Sequence, residues 1–171
     1  MSEKRGIEIE RKYVIRMPSV SLMEGEDEYT VSDITQIYLV APKGETHRIR
    51  ARSYPDRTVY TETRKRRIDS ISAVETESEI DREWFLALAS HPLSGTRPVI
   101  KRRHTFRYKE QIFEIDVYPE WQSTAIMETE LTDPTARAEM PDFISIVAEV
   151  TGDKRYSNAQ MSRSFPEELE A

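Results

Sequence analysis

The stretch Glu8-Ile9-Glu10-Arg11-Lys12 sets two carboxylates and an ammonium at alternate positions. Successive side chains of a β-strand point to opposite faces, so Glu8, Glu10 and Lys12 share one face while Ile7, Ile9 and Arg11 take the other. Two carboxylates and a cation in line suit a divalent metal ion beside a polyanion. The triplet alone reads equally well as the wet face of a half-buried sheet. Its weight comes from recurrence. One parity of later runs carries Arg48, Arg50 and Arg52; Thr61, Thr63 and Lys65; Glu75, Glu77 and Glu79; Lys101 and Arg103; Glu114 and Asp116; and Glu128 and Glu130. The opposite parity is mostly apolar, as in Ile49 and Ala51, Phe113, Ile115 and Val117, or Met127 and Leu131.

A plain wet face would mix serine, threonine, glutamine, lysine and glutamate. Same-sign neighbours on one strand repel and are poor for stability. Acid pairs beside base pairs make sense if something between them needs both. Carboxylate pairs hold hard cations such as Mg²⁺ or Mn²⁺ through oxygen. Arginine and lysine clusters hold phosphate oxygens. A charged face turned into a barrel would make a tunnel of mixed charge.

Eight runs read as strands, at about 7–15, 35–41, 46–53, 58–64, 73–80, 98–108, 112–118 and 125–131. Turn signals at Pro42-Lys43-Gly44-Glu45 and Tyr54-Pro55-Asp56-Arg57 make neighbours hairpins and the sheet antiparallel. A helix is expected over 81–89, with Asp81 as its cap. Further helices are expected at Thr132-Asp133-Pro134, over Asp142–Val150, and from Asp153 to about Ser162. Residues 166–171 read as a frayed acidic tail. The expected architecture is mainly β within an α+β class: an eight-stranded antiparallel closed barrel with a few peripheral helices, which leaves no sheet edge.

The chain of 171 residues is read as one domain, 1–171, with its core at about 7–163. Charged residues make up 33% and the net charge is −6, which argues against general nucleic-acid binding. The absence of cysteine excludes disulfides, thiolate metal sites and cysteine nucleophiles. No apolar run is long enough to span a membrane, and Met1-Ser2-Glu3-Lys4-Arg5 lacks a signal peptide's apolar segment, so a cytoplasmic protein is expected. No Gly-rich phosphate loop occurs. His47, His91 and His104 lack metal-ligand spacing. In Arg64-Lys65-Arg66-Arg67, the last two arginines read as solvated hairpin residues.

In motif order the chain resembles the triphosphate tunnel metalloenzymes, the CYTH superfamily. Glu8-Ile9-Glu10-Arg11-Lys12-Tyr13 is similar to that family's ExExK signature. Thr35–Leu39, Arg48-Ile49-Arg50, Lys65, Glu75-Thr76-Glu77, Lys101-Arg102-Arg103, Phe113–Asp116, Met127–Glu130 and Glu149–Tyr156 follow in the family's order. The resemblance implies a metal site at Glu8, Glu10, Glu128 and Glu130, with Asp116 as a further candidate ligand and two Mg²⁺ or Mn²⁺ ions as the expected occupants. It implies a triphosphate grip by Lys12, Arg48, Arg50, Lys65, Lys101 and Arg103, with Lys154 and Arg155 from the closing helix. Tyr38, which also reads as a core residue, is implied to orient Lys101 near the attacking water, with both as catalytic candidates. Glu75, Glu77 and Glu114 are further tunnel acids, with Glu77 and Glu79 as the alternative register.

The expected activity is metal-dependent hydrolysis of inorganic tripolyphosphate to pyrophosphate and phosphate, because the compact N-terminus resembles the small bacterial tripolyphosphatases. The alternatives are a nucleoside or thiamine triphosphatase, a class IV-type adenylate cyclase, or a non-catalytic polyphosphate-binding module. The expected partner is a small-molecule triphosphate, with no nucleic acid or membrane, for a monomer or homodimer.

Overall fold

A computed structural model describes residues 4–69, 72–131, 135 and 137–171, and for residues 4–9 the backbone alone. Its strands are β1 (Lys4–Arg16), β2 (Asp27–Leu39), β3 (Glu45–Ser53), β4 (Thr58–Arg67), β5 (Ser72–Ile80), β6 (Val99–Tyr108), β7 (Gln111–Val117), β8 (Thr124–Glu130) and β9 (Ile146–Glu149). The helices are α1 (Val20–Glu24), α2 (Arg82–Ala89) and α3 (Asn158–Met161), with a 3₁₀ turn at Lys154–Tyr156.

All pairings are antiparallel, in the order β5-β4-β3-β2-β6-β7-β8-β1-β9. An additional pairing of β5 with the first half of β1 brings eight strands round into a ring. The second half of β1 pairs with β9. Thus the eight expected strands are present, and a ninth lies where a helix over Asp142–Val150 was expected. Ile146 to Glu149 is drawn into β-structure by the free backbone groups of β1, which outweigh local helix preference. The short helix expected at Thr132-Asp133-Pro134 lies outside the described residues.

Two hairpins close as their turn residues dictate. Glu45 N–H donates to the Pro42 carbonyl at 3.0 Å, with Gly44 at φ +82°, a backbone that favours glycine. Tyr54 N–H donates to the Arg57 carbonyl at 2.7 Å. Strand β2 begins eight residues before its expected start at 35, because its first half pairs with β6 and, from Asp33 onward, with β3 as well.

Apolar packing forms around a charged interior. On the outer face of the wall, Phe106, Phe113, Ile115 and Met127 join Tyr13 and Ile15 under Met23 of α1, with Phe143 and Ile144 packed against them. Phe85 of α2 covers Leu39 and Ile49. A third cluster gathers Val14, Tyr38, Val99, Tyr118 and Ile126 with Trp121, Tyr156 and Met161, joining strand residues to the C-terminal segment. Residues 166–171 are not frayed: Glu168 is bonded to the turn before β8, and Leu169 packs on the third cluster.

The Asp81 side chain caps α2, accepting from Trp84 N–H at 2.7 Å. Asp81→Ala is expected to remove about 1 kcal/mol of unfolding free energy, equivalent to about 2–4 °C in Tm for a chain of this size. Urea and thermal melts read this directly; an unchanged midpoint in both would remove Asp81 as the cap.

Candidate functional site

One parity of the strands lines a cavity of about 1000 Å³. Strand β3 contributes Arg48, Arg50 and Arg52; β4 contributes Lys65 and Arg67; β5 contributes Glu75 and Glu77. Across the ring, β1 adds Glu10 and Lys12, β6 Arg103, β7 Glu114, and β8 Glu128 and Glu130. Lys154, Ser157, Asn158, Gln160 and Arg163 reach the cavity from the C-terminal segment. Register explains the juxtapositions. Glu10 stands opposite Glu130, Lys12 opposite Glu128, and Lys65 opposite Glu75.

Most of the expected residues therefore meet in one place. Glu75 with Glu77, and Lys65 among the basic run, have the parity that faces the cavity. Tyr38 also lines it. Three expectations are placed elsewhere. Lys101 and Asp116 share the inward parity of Arg103 and Glu114 but are fully buried inside the ring, off the cavity surface, and Arg155 is exposed and paired with Asp153 at 2.6 Å. The Glu8 side chain lies outside the described residues. Arg67, read as solvated, lines the cavity because it shares the parity of Lys65. Arg52 likewise continues the Arg48–Arg50 ladder. Asn158 and Arg163 carried no periodic signal, since they sit in an irregular segment.

Asp116 is the electrostatic hub of the wall. Its two oxygens accept from Arg103 Nε at 2.7 Å and Nη2 at 2.8 Å, and Lys101 Nζ approaches at 2.7 Å. Burial opposes its charge, but Arg103 and Lys101 outweigh burial and hold its carboxyl well below the usual range. With both oxygens engaged, Asp116 orients cations and is poorly placed to bind a metal. Lys101 shares that carboxylate with a guanidinium. Burial, then Arg103 and Arg50, push its ammonium down to about 7, against the pull of Asp116. Arg103 also pairs with Glu114.

Lys12 bonds Glu128 at 3.1 Å and the Tyr156 carbonyl at 3.2 Å. Burial raises the Glu128 pKa, but Lys12 and Arg103 outweigh it and bring the carboxyl down to about 2. Arg48 faces Glu75 at 3.5 Å. Arg50 differs. Among the described residues, its Nε and Nη2 donate only to the Gln36 side-chain oxygen, at 3.1 and 2.8 Å. Burial, then Arg48 and Arg103, lower its pKa to about 9. Gln36 Nε2, Arg48 Nε and Thr61 Oγ1, on β2, β3 and β4, are buried without a hydrogen-bond partner among the described residues. A buried cation on which neighbouring cations outweigh neighbouring acids, with unpartnered polar atoms close in the sheet, is a seat for an anion.

The carboxylates of Glu10, Glu128 and Glu130 lie on the paired strands β1 and β8 and face the same cavity. Their all-oxygen donor set fits a hard divalent cation. Among the described residues, no group of three or more acidic or histidine side chains is already gathered closely enough to hold a metal.

A ring of strands around an acid- and base-lined cavity defines the triphosphate tunnel fold, and the resemblance read from motif order extends to three dimensions. The inorganic triphosphatase NE1496 superposes with a TM-score of 0.60 and 28% identity, over 94% of this chain and 97% of that one. The PH1012 protein from Pyrococcus horikoshii gives a TM-score of 0.55 at 20% identity, over 74% of this chain and 80% of that one. A putative adenylate cyclase from Vibrio parahaemolyticus gives 0.52 at 13% identity, over 75% and 79%; these last two show the fold alone. No family model matches the sequence, and no curated protein does. Among the described residues, no helix is long and apolar enough to cross a membrane.

Asp116→Asn leaves Lys101 and Arg103 buried without their shared counter-charge, and is expected to cost about 3–5 kcal/mol at pH 7. The folded-state pKa of Lys101 lies below the ordinary lysine value. Between the two, the unfolded chain binds more protons, so stability rises with pH. The loss in Asp116→Asn should therefore shrink between pH 7 and pH 9, as Lys101 sheds its proton. Urea unfolding at the two pH values measures this; an equal loss at both would mean that Lys101 stays charged.

Proposed function

We propose that this protein is a metal-dependent triphosphatase acting on inorganic tripolyphosphate. The observation that carries the reading is Arg50, a buried guanidinium whose only hydrogen-bond partner among the described residues is an amide, inside a cavity lined by charges of both signs. Among the described residues, nine basic side chains and seven carboxylates line that cavity, although the whole chain carries a net charge of −6. The basic excess is thus local. It favours a polyanion, while the acids favour a cation that accompanies it. From Arg48 to Arg52 the strand advances about 13 Å, so the ladder addresses an extended anion.

The lining also favours an inorganic substrate. Bases are commonly held by stacking on aromatic rings. Tyr38 is the one aromatic side chain on the cavity wall among the described residues, and it lies against Arg48. A wall of charges offers little to a purine.

Glu10, Glu128 and Glu130 would hold Mg²⁺ or Mn²⁺, together with Glu8 if its side chain follows the same parity. Such an ion, when bound, supplies charge neutralisation and lowers the pKa of a bound water. Arg48, Arg50, Arg103 and Lys65 hold the phosphate oxygens in line. Water oxygen attacks a terminal phosphorus, the bridging P–O bond breaks, and pyrophosphate leaves with the bond electrons. The arginines stabilise charge that grows on the leaving oxygen, which is the main demand of phosphoryl transfer. Lys101, buried beneath the cavity lining, acts through Asp116 and Asn158.

Phosphate release from tripolyphosphate, pyrophosphate, ATP and thiamine triphosphate with Mg²⁺ or Mn²⁺ tests the reading, with cyclic AMP followed in parallel. Tripolyphosphate is expected to be turned over far faster than pyrophosphate. Cyclic AMP as the main product from ATP, or tight tripolyphosphate binding without turnover, would replace it by the cyclase or the binding module. Arg50→Ala removes one charge-assisted contact of about 1.5–3 kcal/mol and should raise KM by roughly one to two decades. Steady-state kinetics check this, and an unchanged KM would take Arg50 out of the binding site.

A further inference from the structure

The last eighteen residues pass the cavity and then fold back onto the turn between β7 and β8. There the Glu168 carboxylate accepts from three successive backbone N–H groups: Gln122 at 3.0 and 3.1 Å, Ser123 at 2.6 Å and Thr124 at 2.8 Å. The hydroxyls of Ser123 and Thr124 donate to it at 3.0 and 2.9 Å. Trp121 Nε1–H donates to the Pro166 carbonyl at 3.1 Å, and the Phe165 ring lies 5.3 Å from both Tyr118 and Trp121. Such a carboxylate anchor fixes where the preceding chain can lie.

What it fixes reaches the cavity. Asn158 lines the wall, and its Oδ1 accepts from the Tyr118 hydroxyl at 2.9 Å and from Lys101 Nζ at 3.3 Å. Lys101 in turn holds Asp116, and Asp116 holds Arg103 on the wall. Tyr118 is common to both ends of the path, touching Phe165 near the anchor and Asn158 at the cavity. A tail that merely added stability would need no such link.

We propose that Glu168 is a positioning residue for the site: by anchoring the C-terminal segment on the β7–β8 turn, it holds Asn158 against Lys101 and Tyr118 at the cavity wall. The proposal rests on the reading of that cavity as the catalytic site.

The test is a double-variant cycle of Glu168→Ala and Asn158→Ala, read two ways. Tripolyphosphate turnover with Mg²⁺ is expected to fall in kcat by about tenfold or more in each single variant, with a smaller change in KM. The double variant should be no worse than Asn158→Ala alone, because both changes break one path. Amide hydrogen exchange of residues 156–163, read without substrate, should quicken in Glu168→Ala. Glu168→Gln, which keeps an acceptor oxygen, should fall between wild type and Glu168→Ala, and serves if the alanine variant does not fold. Full kcat in Glu168→Ala, additive losses in the double variant, or unchanged exchange would each overturn the proposal. A wild-type protein inert toward tripolyphosphate would sink the functional reading alone, and exchange would then decide the anchor.

Discussion

The two-residue period of a β-strand is the constraint on which the rest of this structure depends. Once a ring of strands turns its charged parity inward, its apolar parity must face outward. An interior of arginines and glutamates cannot serve as the core. Phe106, Phe113, Ile115 and Met127 are therefore buried from outside, under α1 and the segment around Phe143. Leu39 and Ile49 need α2 and its Phe85 for the same reason. The short helices and irregular stretches are the cover that an inside-out barrel requires.

The charged interior is held by unequal pairing. Asp116 sits between Arg103 and Lys101, and Glu128 is bonded to Lys12, so these acids stay ionised despite burial. Folded-state values below the ordinary carboxyl range mean that this stabilisation is in place at neutral pH. It is lost progressively as pH falls from the ordinary carboxyl range to those values, about 2 for Glu128. Arg50, by contrast, bonds an amide, and the repulsion of Arg48 and Arg103 outweighs the pull of Glu77 and Glu114. The fold thus spends its acids on fixing some cations and leaves another for an incoming anion. A buried cation in that position gains most from a polyphosphate, because the anion removes its repulsion with Arg48 and Arg103.

Closure comes from the chain's end. Tyr156 and Met161 pack on the cluster that contains Val14, Tyr118 and Ile126, while Lys154, Asn158 and Arg163 of the same segment face the cavity. One stretch of chain thereby completes both a core and a polar wall. Its packing and its chemistry cannot be changed independently.

The sequence alone determined the strand ladder and its polarity. Same-sign pairs at alternate positions identified which side chains share the cavity, and Gly44, Pro55 and Asp81 marked the turns and the helix start through backbone requirements that are local. The motif order carried the resemblance, which the superposition on NE1496 bears out in fold. Tertiary structure decided what depends on distant partners. Residues 146–149 became a strand because β1 offers them unsatisfied backbone groups. Asp116 and Lys101, alike in pattern to the cavity-lining charges, lie on the same inward face but deeper, where each finds a buried counter-charge. Arg155 turned outward to Asp153, and the acidic tail was pinned through Glu168, because neither position has a period that fixes its direction. Alternation assigns a face to every strand residue. How deep a charge lies on that face, and with whom it pairs, is set only when the strands meet.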